Sequence, residues 1–491
     1  MLRSDKRSFE EIITQYNTED ILVAIIAMQF RSKRFLGDAL FSTVETFSCN
    51  AVRHNITESE KSFRKKDYKH LMNLGKELLG VSAATVIKQA MILKSKNPSV
   101  DEREDFLKTS MMKMKNIAFR GDGYLFQLID MADALYLPFD NDLKLTYGFT
   151  YTCFRNVLIH IYKEYKKRVI LAYTKFCSPT KNLYKIVKTD LYQGISNGNE
   201  EVTAEIETML NHLSINLGDK NLPEVRVEDF KPLLGKPFID MGDYIYLPLS
   251  EPVLMNLPKI FHYDFIASGS MFADDVVEQY KKNRGDVVES YTIAYLSRFF
   301  DQDKIFQSLK YPKKEKTYKA DVTVQQDDVT IFAECKSKIL TLGTLKGKIE
   351  SLQTDIKQAI GKAYEQGVRS IKYLESGRPF IFETDSVLGT QGEPNIEITL
   401  NNSSKKYILC VNIENFGVIP SEIEKYVSID ANLDVIPLSI NLYDLEIISM
   451  ECKSKMEFLS YLEFRKLNNT FLTSNDELDM FALFKKRAVF N

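Results

Sequence analysis

Two carboxylates and a lysine in the C-terminal half carry the clearest chemical signal in the chain. Asp321 precedes Glu334, and Lys336 follows after one intervening residue. The segment ADVTVQQDDVTIFAECKSK (320–338) alternates apolar and polar residues on both sides of its central Asp-Asp pair. This alternation predicts two antiparallel strands joined by a tight turn, with one face buried. Two carboxylates that meet across such strands, with a lysine beside them, suit the binding of a hard divalent cation and the activation of water.

The register of the predicted hairpin follows from its turn. If the central aspartates form the turn, Asp321 lies directly opposite Glu334. Opposed Cβ atoms are about 4.5–5.5 Å apart, so the two carboxylates repel each other unless a cation lies between them. Lys336 projects from the same face as Glu334. Cys335 projects from the opposite face, which we expect to be the buried one, so its thiol is predicted to be inert.

This pattern resembles the PD-(D/E)XK nuclease superfamily. Asp321 matches the aspartate of that motif, Glu334 its second acidic residue and Lys336 its lysine, while Ala320 stands where the family has proline. The resemblance covers residues 274–446 and includes uncharacterised bacterial members of restriction-endonuclease-like build. It implies a Mg²⁺-dependent endonuclease, with Mn²⁺ as a substitute metal and with nucleic acid, expected to be DNA, as the substrate.

The resemblance also implies a role for each residue of the motif. Asp321, Glu334 and the main-chain carbonyl of Cys335 would bind the metal. Lys336 would orient or deprotonate the attacking water and offset charge on the phosphate.

Two flanking helices are predicted to contribute further residues. Glu289 lies on an apolar stripe of the first helix, and the resemblance implies that it reaches the metal; the alternative is a buried structural ion pair. Gln366 continues the buried stripe of the second helix, and many members of the superfamily carry a glutamine there near the active centre. The alternative for Gln366 is a packing role.

The order of predicted elements gives the fold class. The C-terminal part, residues 272–491, reads as a long helix, three strands, a second long helix and further strands, with a helical tail. This order predicts an α/β core with a mixed sheet flanked by helices, and the resemblance implies that the core is restriction-endonuclease-like. Residues 1–192 read as a mostly helical N-terminal domain. Residues 200–266 read as a small mixed module with a β-hairpin that turns at Gly242-Asp243.

Composition excludes several other classes of protein. The longest apolar run is too short for a membrane span, and the formal net charge is only −2, so no membrane contact and no bulk attraction to nucleic acid are expected. None of the five histidines lies after His262, which excludes Ser-His-Asp hydrolysis and histidine-ligated zinc from the C-terminal half. The six cysteines lack the spacing of zinc sites or disulfide frameworks, so a reducing cytoplasm is expected.

The pentapeptide Glu-Cys-Lys-Ser-Lys occurs twice and provides an internal control. The second copy, 451–455, has no strand hairpin before it and is predicted to be a loop or a helix start. Basic clusters near the first copy are predicted to contact phosphates; they comprise Lys281, Lys282 and Arg284, and Lys310, Lys313, Lys314, Lys316 and Lys319.

Function therefore rests on the first copy and its partners. The expected function is a nuclease of bacterial restriction or anti-phage defence, which acts alone, as a homo-oligomer or with a defence-system partner. The alternative is an inactive nuclease-like domain that binds nucleic acid or a partner protein. A third class is an assembly protein in which the N-terminal helices are the functional part.

Overall fold

The computed structural model describes most of the chain. The described residues are 14–31, 39–54, 67, 70–71, 73–75, 77, 122–174, 184–219, 221–225, 232–267, 269–313, 316–345, 348–382, 396–417, 419–430, 432–433, 435–468, 472, 474 and 476–490. The chain divides into two compact units, Met1–Tyr280 and Lys281–Asn491. No described helix is long and apolar enough to cross a membrane.

The first unit is built mainly from helices. In chain order these are α1 (Thr18–Arg31), α2 (Ala39–His54), α3 (Leu125–Tyr136), α4 (Asp140–Tyr147), α5 (Tyr151–Thr174), α6 (Lys188–Ser196), α7 (Glu200–Leu213), α8 (Ser250–Met255) and α9 (His262–Ile266). Helix α1 begins directly after Asn17, whose side-chain oxygen accepts a hydrogen bond from the Glu19 N–H at 2.9 Å. Such a cap satisfies one of the N–H groups that a helix start leaves without a partner.

A small sheet completes the first unit. Its strands are β1 (Ile186–Val187), β2 (Ser214–Asn216), β3 (Phe238–Asp240) and β4 (Tyr244–Tyr246), in the order β1-β4-β3-β2. The predicted hairpin at Gly242-Asp243 is confirmed: β3 and β4 pair antiparallel, and Gly242 has a φ of 86°, which favours glycine. Strand β1 pairs with β4, so the sheet joins residues on both sides of the predicted boundary near 192.

The second unit contains a seven-stranded mixed sheet. Its strands are β5 (Ile305–Lys313), β6 (Lys316–Gln326), β7 (Val329–Lys336), β8 (Phe380–Phe382), β9 (Ile396–Ile398), β10 (Lys405–Asn412) and β11 (Leu438–Asn441). The spatial order is β11-β10-β7-β6-β5-β8-β9. Strands β7, β10 and β11 run parallel to one another, whereas the pairs from β7 through to β9 are antiparallel. The predicted α/β class with a mixed sheet is confirmed at this level.

Helices flank this sheet. They are α10 (Asp274–Leu296, which begins before the division between the units), α11 (Leu342–Leu345), α12 (Ile349–Ile356), α13 (Lys362–Glu375), α14 (Leu442–Glu451), α15 (Lys455–Asn468) and α16 (Glu477–Phe490). The single long helix predicted over about 344–374 is interrupted, because a π-helical turn at Lys357–Gly361 separates α12 from α13. The segment after β11 is the helix α14.

The prediction that the central hairpin buries one face is wrong for β7. Every residue of this strand from Val329 to Cys335 is buried, including Thr330, Phe332 and Glu334 on the face predicted to be open. The reason is that β7 lies inside the sheet, with β6 on one side and β10 on the other. Helix α13 also covers part of it.

A glycine sets the distance between α13 and the sheet. A Cβ atom added at Gly367 would lie 2.7 Å from Cγ2 and 2.9 Å from Cγ1 of Ile408. Ile408 is buried on β10 and is the register partner of Phe332 on β7. The close approach therefore depends on the absence of a side chain at position 367.

We predict that Gly367→Ala lowers the free energy of unfolding by about 1–3 kcal/mol, because the added methyl group overpacks the contact with Ile408. Gly361→Ala is the matched control: the nearest atom to its added Cβ lies 3.8 Å away. This control should be neutral or stabilising by up to about 1 kcal/mol. Chemical denaturation of both variants measures the difference, and equal stabilities would contradict the packing analysis.

Candidate functional site

The predicted register of the central hairpin is confirmed. Strands β6 and β7 pair from Gln326 opposite Val329 to Val322 opposite Ala333. Asp321 and Glu334 are the next two residues in this register, at the end of the paired segment. The carboxylates therefore come from adjacent strands at the point where the ladder stops.

Asp321 and the Cys335 carbonyl both contact the Lys336 ammonium. Asp321 Oδ2 accepts hydrogen bonds from the Cys335 N–H at 3.0 Å and from Lys336 Nζ at 3.1 Å. Lys336 Nζ also donates to the Cys335 carbonyl oxygen at 3.0 Å. The ammonium is thus held by the carboxylate and the carbonyl that the sequence analysis assigned to a metal ion. These two oxygens can bind one cation together.

Glu334 is a fully buried acid next to Asp321. Its side chain is 0 % exposed, and neither carboxylate oxygen has a hydrogen-bond partner among the described residues. Burial, followed by the negative charge of Asp321, raises its pKa well above the ordinary value, while the Lys336 charge opposes this effect. A buried carboxyl without a partner is costly, so this arrangement favours a proton or a cation at Glu334.

Glu289 joins the same group through Lys319. Lys319 Nζ lies 3.0 Å from Glu289 Oε1 and 3.9 Å from Asp321 Oδ1, and the Gln307 amide donates to Glu289 Oε2 at 3.1 Å. Burial, followed by the charge of Asp321, raises the pKa of Glu289. Glu289 therefore forms the buried ion pair that one interpretation predicts. It also lies next to the group around Asp321, where the other interpretation places a metal ligand.

The backbone is distorted directly across from Asp321. In the pairing of β5 with β6, Gln307 is opposite Val322 and Leu309 is opposite Ala320. Ser308, between them, faces Asp321 and has a φ of 60°. A left-handed conformation in a serine within a strand is uncommon and costs free energy, and such strain clusters at functional sites.

Gln366 is not brought into this group. It is half-buried on α13, where its main-chain carbonyl also accepts a hydrogen bond from Ser370 Oγ at 3.1 Å. No contact joins its side-chain amide to Asp321, Glu334 or Lys336.

The second copy of the pentapeptide has a different structure. Glu451 ends α14 and Lys455 begins α15, so the copy connects two helices, as predicted. Lys453 is exposed, and its N–H donates to Glu457 at 2.6 Å as part of the cap of α15. No described strand pairs with this segment.

Two residues of the group were not predicted to contact its carboxylates. Lys319 was predicted only as part of a phosphate-contacting basic cluster; it precedes Asp321 by two positions on the same strand, so strand periodicity could have placed it beside the carboxylate. Gln307 lies on β5, and no pattern in the sequence of this strand indicates that its amide contacts Glu289.

The site contains oxygen atoms that could bind a metal ion. Within the described residues, no three or more His, Cys, Asp or Glu side chains form a group arranged to hold a metal. The candidate donors are instead two carboxylates, Asp321 and Glu334, and the carbonyl of Cys335. These are the hard oxygen ligands that Mg²⁺ prefers, and the Glu334 carboxylate, which has no hydrogen-bond partner among the described residues, is available as one of them.

Comparisons with known proteins add no family to this description. No protein-family model, no curated protein and no solved structure matches the chain.

Cys335 contributes its backbone to the group and its side chain to the packing. The Cys335 thiol is buried and donates to Thr292 Oγ1 on α10 at 3.5 Å. Burial, followed by the charge of Asp321, raises its pKa well above the ordinary value. The thiolate, which is the reactive form, is therefore disfavoured.

We predict that Glu334→Gln stabilises the metal-free protein increasingly as pH rises. The folded-state pKa of Glu334 lies above its ordinary value of 4.5, so folding retains a proton that the unfolded chain releases. Wild-type stability should therefore fall as pH increases above about 4.5 towards the folded pKa, and the glutamine variant lacks this loss. Melting temperatures in EDTA between pH 4 and 8 measure the effect, with the exposed Glu451→Gln as the control. A constant difference between variant and wild type across this range would refute the assignment.

We also predict that Cys335→Ala lowers the free energy of unfolding by about 1 kcal/mol, because it removes a buried sulfur atom, and leaves any cleavage activity per folded molecule unchanged. A small alkylating agent should modify Cys335 rapidly in guanidinium and slowly in the native protein. Rapid loss of activity in the native protein, prevented by Cys335→Ala, would show that the thiol faces the site.

Proposed function

We propose that the second unit is a Mg²⁺-dependent nuclease, with DNA as the expected substrate and Mn²⁺ as a substitute metal. The observation that carries this proposal is the convergence of Asp321 Oδ2 and the Cys335 carbonyl on a single cation, the Lys336 ammonium, next to the unpartnered Glu334. This group has the residue types and spacing that the sequence assigned to phosphodiester cleavage.

The element order supports a restriction-endonuclease-like core. Helix α10, the strands β5, β6 and β7, the helices α12 and α13, and then the strands β8, β9 and β10 occur in the predicted chain order. Strand β10 pairs parallel with β7, which carries Glu334 and Lys336. The assignment of this core to the PD-(D/E)XK superfamily is part of the proposal.

Each residue has a defined task in this proposal. A divalent metal at the group would polarise the scissile phosphate and lower the pKa of bound water. Asp321, Glu334 and the Cys335 carbonyl would hold it. Lys336 would orient the attacking water and stabilise negative charge that develops on the phosphate.

Glu289 and Lys319 would act at the edge of this group. Lys319 is about two-fifths exposed and lies between the Glu289 and Asp321 carboxylates, where it balances their charge. From this position it could also contact a phosphate of the substrate. Glu289 would become a metal ligand only after its contact with Lys319 is broken.

The wider biological setting is also proposed. Bacterial restriction or anti-phage defence, a cytoplasmic location, and action as a homo-oligomer or with a defence-system partner are consistent with a nuclease of this build. None of the described cysteines forms a disulfide.

The alternative is a binding module without catalysis. It is favoured by one observation: the Lys336 ammonium already neutralises Asp321, as it would in a closed site that takes up no metal. The carboxylate of Glu334, which has no hydrogen-bond partner among the described residues, favours the nuclease instead. In a domain without catalysis, replacement of this buried acid by an apolar residue would stabilise the fold.

We predict that the purified protein cleaves nucleic acid in Mg²⁺ or Mn²⁺ and not in EDTA. Asp321→Asn, Glu334→Gln and Lys336→Ala should each lower cleavage by about 100-fold or more, because each removes a group next to the reacting phosphate. Plasmid, linear and single-stranded DNA and RNA serve as parallel substrates, so that the same assay identifies the substrate.

The duplicated pentapeptide supplies the matched control. Lys453→Ala changes the same residue in the same local sequence but lies at a helix junction, so its cleavage rate should equal that of the wild type. Equal losses in Lys336→Ala and Lys453→Ala, or loss in Lys453→Ala alone, would refute the site. A folded protein that binds nucleic acid but never cleaves it would favour the binding module.

A further inference from the structure

A row of polar residues crosses the carboxyl ends of the three parallel strands. Lys336 on β7 is the register partner of Asn412 on β10, and Asn412 is the partner of Asn441 on β11. Two pairs earlier, Glu334 is the partner of Cys410. Register partners in a parallel sheet project from the same face, so Asn412 lies on the face of Glu334 and Lys336.

Asn412 contains a buried acceptor without a partner. The residue is 1 % exposed, and its side-chain oxygen Oδ1 has no hydrogen bond among the described residues. Its Nδ2 donates to the Cys410 carbonyl at 3.0 Å and to Ser439 Oγ at 3.2 Å. A buried amide oxygen that lacks a donor costs free energy, so it calls for an explanation.

The orientation of this amide is determined by its neighbours. The Cys410 carbonyl can only accept, so the branch that contacts it must be the NH₂ group. That branch also reaches Ser439 on β11. The oxygen branch therefore points away from β11, and the other neighbour of β10 is β7, which carries Lys336.

Lys336 needs a second position if a metal binds. Its ammonium now contacts Asp321 Oδ2 and the Cys335 carbonyl, which are the oxygens assigned to the metal. A divalent cation bound to these two oxygens would repel the ammonium, and the repulsion is strong in a largely buried site. The Lys336 side chain is only 18 % exposed, so solvent screens this repulsion weakly.

We propose that Asn412 is a positioning residue for Lys336: its Oδ1 accepts the ammonium when a divalent cation takes the place between Asp321 and Cys335. This inference rests on the proposed metal-dependent function and deepens it. Asn412 would hold Lys336 beside the metal, in position for the attacking water. In the absence of metal, the same lysine closes the site and partly offsets the buried charge.

The test is a double-mutant cycle on metal affinity, measured by calorimetric titration of the full chain with Mn²⁺ in the absence of nucleic acid. Asn412→Leu should weaken Mn²⁺ binding about tenfold or more, because the displaced ammonium loses its acceptor. Lys336→Met should tighten Mn²⁺ binding, because it removes the competing cation. In the Lys336→Met background, Asn412→Leu should have no effect.

Two further variants control for packing. Asn412→Ala should repeat the result of Asn412→Leu without added bulk, and the melting temperature of each variant in EDTA reports whether it folds. Ser439→Ala removes a partner of the Asn412 NH₂ group but leaves Oδ1 in place, so its Mn²⁺ affinity should stay within about twofold of wild type.

The outcomes separate the two proposals. If Asn412→Leu weakens Mn²⁺ binding equally in both backgrounds, or in neither, Asn412 does not position Lys336 and the inference fails. If the wild type binds Mn²⁺, Asp321→Asn abolishes this binding and the cycle shows no coupling, only the inference fails. If neither the wild type nor Lys336→Met binds Mn²⁺, the proposed metal-dependent function fails together with it.

Discussion

The antiparallel pairing of β6 with β7 is the constraint on which the site depends. It brings Asp321 and Glu334 to adjacent strands at the end of the ladder, and it directs the Cys335 N–H onto Asp321. A slip of one residue would exchange the two faces of β7 and separate Lys336 from the carboxylate. The parallel pairing with β10 then buries β7 within the sheet, which makes every unbalanced charge on it costly.

Charge balance explains the arrangement around Asp321. Three carboxylates lie close together, and two lysines, Lys319 and Lys336, approach them from different sides. Glu334 has no hydrogen-bond partner among the described residues, and burial, followed by the negative charge of Asp321, raises its pKa. The group is therefore incomplete as a purely structural ion-pair network. A divalent cation would balance this charge, and both the nuclease proposal and the role of Asn412 depend on such a cation at Asp321.

The two copies of Glu-Cys-Lys-Ser-Lys show why local sequence is insufficient to define a site. The copy at 334–338 follows a strand that pairs on both sides, whereas the copy at 451–455 joins two helices. The lysine side chain of the first copy, Lys336, consequently contacts Asp321 on the neighbouring strand. In the second copy the main-chain N–H of Lys453 donates to Glu457 at the start of a helix. The decisive difference is the strand that lies opposite, because a cation needs ligands from more than one segment.

The sequence by itself determined the hairpin and its register, since period-two alternation around the Asp-Asp turn allows only one pairing that keeps the apolar residues together. It also predicted the element order of the second unit and the helix junction at 451–455. Tertiary structure decided what depends on distant neighbours. Strand β10 buried the face of β7 that was expected to be open, and a π-helical turn interrupted the helix before Gln366. The contact of Lys319 with Glu289 on α10 likewise depends on tertiary structure, as does the Asn412 side-chain oxygen that has no hydrogen-bond partner among the described residues. In both cases residues far apart in the chain meet, and alternation within one strand contains no information about the helix or strand beside it.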